Sequence, residues 1–135
     1  MSALTRDRAT SYREGIEVEF PVAAATKIYA GSMVCVNAGG YAAPAADTSG
    51  YRFVGVAMEQ VDNSSGANGA EMVRLRRTGV FEFDAATLTQ AMVGDAMYAA
   101  DDQTFANTTG VTNHIKVGTL GKYVSTTKGW IDIAR

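Results

Sequence analysis

Short apolar–polar alternations, broken every few residues by turn sequences, run through this chain from residue 16 onward. "IEVEF" sets Ile16, Val18 and Phe20 against Glu17 and Glu19. "MVRLR" sets Val73 and Leu75 against Arg74 and Arg76. "VFEF" sets Phe81 and Phe83 against Glu82, and "WIDIA" sets Ile131 and Ile133 against Trp130 and Asp132. Side chains of a strand alternate between the two faces of its sheet, so each segment reads as a strand with one buried face. The intervening "NAGG", "DTSG", "DNSSGANG", "NTTG" and "TTKG" are turn sequences. No stretch carries a helical apolar stripe over three turns; "DAATLTQAM" offers one short helical turn at most. The expected fold is all-β, a compact barrel or sandwich of short strands.

The chain also resembles itself. At an offset of 63 residues, Glu19-Phe20 meets Glu82-Phe83, Gly31 meets Gly94, and Val54-Gly55 meets Val117-Gly118. Ala23, Thr26, Ala43 and Val61 meet identical residues as well. Removing five residues from the later loop places "MVRLRR" on "WIDIAR". The expectation is one β domain over 16–135, built from similar halves 16–77 and 79–135. Residues 1–15 hold Arg6, Arg8, Arg13, Asp7 and Glu14, with only Met1, Leu4 and Tyr12 as larger apolar side chains. They read as an arm outside the folded body, ordered on a partner.

Composition narrows the function. Of 135 residues 47% are apolar and 19% charged, with a formal net charge of −2. This lacks the basic excess of a nucleic-acid binder. No apolar run approaches the ~18 residues that cross a membrane, and the N-terminus has no apolar core of a secretion signal. Cys35, the lone cysteine, sits in the apolar "MVCV" and reads as a small buried hydrophobe, which suits a reducing compartment.

Chemistry has few candidates. His114 is the only histidine, expected at the start of the strand "HIKVG". Any Ser-His or Cys-His site would have to use it. One His and one Cys are too few for a multi-ligand zinc site. Asp101-Asp102 have Ala38-Gly39 as counterparts in the first half, so the acids read as a turn and not as a metal or acid–base pair. The reading is no enzyme, no cofactor and no metal. On the outward face, Met72, Arg74, Arg76 and Trp130 have the composition of an interface anchor. An alternative role for Trp130 is to cap one end of a barrel.

"RTGVFEF", "VGDAMYAADDQT", "IKVGTL" and the closing "WIDI" together resemble the capsid cement, or head decoration, proteins of tailed bacteriophages. "IYAGSMVCV" and "FVGVAM" fit that family's early strands, so the resemblance covers about residues 16–135. The chain departs in its longer arm and in Tyr98-Ala99, where the family commonly has Tyr-Trp. The resemblance implies a β-rich protein on the exterior of the virion, made in the host cytoplasm. Its implied partners are the major capsid protein and copies of itself, with a trimer favoured. It implies no nucleic acid and no membrane. Candidate contact residues are Arg6, Arg8, Tyr12 and Arg13 of the arm, with Met72, Arg74, Arg76 and Trp130. Alternatives are a tail or neck component of a phage particle, and a carbohydrate-binding β module with Trp130 as stacking platform.

Overall fold

A computed structural model describes residues 2–11 and 15–133 and is all-β. The first half contributes β1 (Glu17–Pro21), β2 (Thr26–Ile28), β3 (Met33–Val36), β4 (Ala42–Pro44), β5 (Arg52–Ala57), β6 (Val61–Asn63) and β7 (Met72–Arg76). The second contributes β8 (Val80–Ala85), β9 (Ala96–Ala99), β10 (Thr104–Ala106), β11 (Lys116–Ser125) and β12 (Lys128–Asp132). Within "DAATLTQAM" a single 3₁₀ turn spans Gln90–Met92.

The sheet order in the first half is β1-β7-β5-β3-β4, with β2 and β6 forming a separate hairpin-like pair. The second half repeats that order as β8-β12-β11-β9-β10 and closes into a barrel. Closure uses a parallel pairing, Phe105 opposite Ala85. At the same 63-residue offset the first half has the parallel bridge Val22 to Ala42. The bonds match too: Ala23 N–H donates to Ala42 O at 2.9 Å, and Ala86 N–H donates to Phe105 O at 3.1 Å.

A bulge recurs at the same place in both halves. Between β3 and β5, Val34 faces Gly55 while Cys35 faces Phe53. Between β9 and β11, Met97 faces Gly118 while Tyr98 pairs with Lys116. Glycine is needed here because the backbone of the next strand passes close by. A Cβ at Gly55 would lie 2.7 Å from Arg76 O, and one at Gly118 would collide with Asp132 O.

Alternation fixes what β7 and β12 bury. Val73 and Leu75 are fully buried between exposed Met72, Arg74 and Arg76. Ile131 and Ile133 are buried beside half-buried Trp130 and Asp132. Ile16 departs from expectation: it is 52% exposed, because the strand begins one residue later and Ile16 carries the chain off the body. The first half has its own interior around Ile28, Val34, Val73 and Leu75. A second cluster joins the interior of the other barrel (Met97, Phe105, Leu120, Ile131) to Met33, Cys35, Phe53 and Val56 from the far face of the first sheet. Every residue of β3 is therefore buried.

Polar ties add to that apolar seam. Met33 N–H donates to Asp102 O at 2.8 Å. The Asp47 carboxylate accepts the amides of Thr112 and Asn113, each at 2.8 Å, and Asn113 Nδ2 returns a bond to Asp47 O at 2.9 Å.

Candidate functional site

The groups with the most chemical promise are engaged in turns. Asp101 Oδ1 accepts the Gln103 amide at 2.9 Å, a side-chain–backbone turn of the kind aspartate favours. Partial burial, and then the neighbouring Asp101, push the Asp102 carboxyl above the usual carboxylate range. His114 does not open a strand. It lies two residues ahead of β11 with φ of 53°, a left-handed turn next to the Asp47 latch. Its Nε2 meets Thr108 O at 3.0 Å, and its ring packs edge-on against Tyr98 with centroids 5.2 Å apart. Neither contact is to a nucleophile. Cys35 is fully buried, and burial pushes its thiol up to about 12. Among the described residues, no group of three or more His, Cys, Asp or Glu is placed to hold a metal ion.

The outward rows present more surface. In the ladder between β1 and β7, Glu17 lies opposite Arg76 and Glu19 opposite Arg74. Arg74 also reaches Glu59, at 3.5 Å. Met72, at 46% exposure, continues the row. Opposite charges facing across an antiparallel pair are mutually favourable, and exposed pairs of this kind contribute about 0.5 kcal/mol each. In the second half Trp130 lies opposite Glu82 on one side and Lys122 on the other. It is half-buried, so one part of the indole is covered by the sheet and part meets solvent.

The two rows approach each other at a groove between the halves. Val56 and Phe83 are buried in it, Phe81 and Met58 are half-buried, and exposed Arg76 and Glu82 complete its lining. Its volume is ≈ 320 Å³. Arg76 and Trp130 are thus linked through Glu82, which shares the groove with one and the ladder with the other. Met72 and Arg74 lie further along β7.

The arm stands apart. Residues 2–11 are exposed throughout, and among the described residues the arm backbone bonds only locally, Thr10 N–H to Arg8 O at 3.1 Å. Among the described residues, no ion pair joins Arg6 or Arg8 to the Met72–Arg74–Arg76 row, where Arg74 pairs with Glu59. Tyr12 and Arg13 lie outside the described residues. The arm joins the body at Ile16, whose carbonyl accepts the Arg77 amide at 2.8 Å, so its root adjoins Arg76.

Sequence reasoning missed the groove. Its lining draws on β5 and β7 of one half and β8 of the other, and no local period marks such a junction. It also missed the Asp47 latch, though "DTSG" and "VTNH" supply the acceptor and donors. Comparison with family models, with curated proteins and with solved structures gave no match to this chain.

Proposed function

We propose that this chain is a structural virion protein that binds the outer surface of a tailed-phage capsid and stabilises the mature shell. The observation that carries the reading is a body whose groups of chemical promise are spent on turns and packing, joined to an exposed, charged arm and an outward Met72–Arg74–Arg76 row. The sequence resemblance over residues 16–135 supplies the kind of partner.

The energetics are those of linkage. A protein that binds only the assembled lattice stabilises it by about 2.7 kcal/mol per site at a free concentration ~100 times Kd. Copies tied to one another, as in the favoured trimer, add avidity because release of one contact leaves the others in place. An arm that orders on binding contributes backbone and arginine bonds at an entropic cost.

The test adds purified protein to mature capsids that lack their decoration and follows the temperature at which they rupture. The expected outcome is saturable binding with a raised rupture temperature. Deleting residues 2–11 leaves the melting of the free protein unchanged but weakens attachment. Capsids that bind nothing and rupture at the same temperature would rule the reading out.

A further inference from the structure

The groove between the halves and the arm are complementary in three respects. The groove offers apolar surface from Phe81, Met58 and Val56, while the arm carries Leu4, which is 70% exposed. The groove has one carboxylate, Glu82, and one guanidinium, Arg76. The arm sequence "LTRDR" places Arg6, Asp7 and Arg8 one residue beyond Leu4, cations for Glu82 and an anion for Arg76. The arm's root also adjoins the groove, since Ile16 bonds to Arg77 beside Arg76. Yet the arm of the same chain lies outside that groove, exposed over residues 2–11. The stretch from Leu4 to Ile16 spans up to about 40 Å when extended, enough to cross to a neighbouring molecule.

We propose that this groove receives the N-terminal arm of a second copy of the chain, with Leu4 against Phe81 and with Arg6 and Arg8 facing Glu82. The contact is heterologous, arm into groove. A ring of copies therefore closes with every arm and every groove used, and an open arrangement leaves one of each free. Burying one leucine and pairing two or three exposed charges gives a weak individual contact, so the association belongs in the micromolar-to-millimolar range and is strengthened when it closes on itself. The inference is independent of any capsid, because it concerns the free protein.

Sedimentation of the full chain from roughly 10 µM to 1 mM tests it. The full chain is expected to self-associate with rising concentration. Deletion of residues 2–11, Leu4→Asp and Glu82→Arg should each weaken association about tenfold or more. All three changes lie at exposed positions, and unchanged circular dichroism and melting temperature check that the body is intact. The decisive arm mixes Leu4→Asp with Glu82→Arg. One supplies an intact groove and the other an intact arm, so a one-to-one complex should return. A full chain that stays monomeric throughout, variants that associate as strongly as the full chain, or a mixture that does not recover association would each overturn the proposal. A monomeric full chain would instead leave the arm to its own groove or to a different partner.

Discussion

The two halves share a strand order, a bulge and a parallel closing contact, yet they treat the same sheet face in opposite ways. In the first half that face carries Met33, Cys35, Phe53 and Val56, all buried against the second half. At the same positions the second half carries Ala96, Tyr98, Lys116 and Thr119, of which Lys116 is exposed and the others are half-buried. The interiors differ in the complementary sense: Ala42 and Ala57 occupy the places of Phe105 and Leu120. One backbone plan thus accommodates a half that relies on its neighbour for cover and a half that fills its own barrel. The lesson is that the outward residues, more than the ladder, decide which copy of a repeated unit becomes the docking partner.

Exchanging the residues at one equivalent position should expose that asymmetry most strongly. Phe53→Lys places an unpaired ammonium in the seam and is expected to cost about 4 kcal/mol or more. The reverse exchange, Lys116→Phe, changes a solvent-facing position and should stay within about 0.5 kcal/mol. Urea denaturation of both variants measures the difference, and equal costs would mean that the two faces are not distinguished by burial.

The bulge glycines come next. Gly118→Ala and Gly55→Ala should each destabilise by about 2–3 kcal/mol, because the new methyl group meets a carbonyl at both sites and Gly55, at φ of 155°, also holds a backbone conformation that side chains rarely adopt. The same urea series measures them, and a cost at Gly118 within the roughly 0.5 kcal/mol of an ordinary surface change would contradict the close approach of Asp132 O.

A smaller effect is expected from the latch. The amides of Thr112, and then Asn113, hold the Asp47 carboxyl below its usual value. A carboxyl whose folded value is depressed stabilises the fold above its unfolded value of about 3.9, and that contribution is lost as pH falls through the lower folded value. Asp47→Ala should therefore lower the melting temperature at about pH 7, with the difference shrinking as pH falls below the ordinary carboxylate range. A gap that persists in acid would assign the effect to packing.

Cys35 supplies the mildest probe. Its counterpart in the second half, Tyr98, is only half-buried, while Cys35 is sealed and its thiol raised to about 12. A thiol reagent near pH 8 should label it at full rate only after denaturation. Rapid labelling of the folded protein would show that the seam opens readily.

Much of this architecture was legible in the sequence. Alternation at Val73–Leu75 and Ile131–Ile133 placed the buried faces, and the 63-residue offset put Gly55 in register with Gly118, though not the strands each one faces. "MVCV", apolar at every position, carried a signal of burial on both faces that a search for alternation passes over. Ile16 and His114 were misplaced because one residue at a strand end settles between body and solvent on tertiary grounds. The outward row at Met72, Arg74 and Arg76 was visible from its period. Its relation to Trp130 was not, because Glu82 makes that link from a strand of the other half.

In each half the opening strand pairs with the closing one, β1 with β7 and β8 with β12, so neither unit is complete until its last residues have been made. During synthesis the first unit can finish while the second is still inside or leaving the ribosome. For that interval a surface of methionine, cysteine, phenylalanine and valine faces solvent without the second half to cover it. Translation speed through residues 80–132 then sets how long a nascent chain stays sticky, and slow codons there would favour clumping over correct closure.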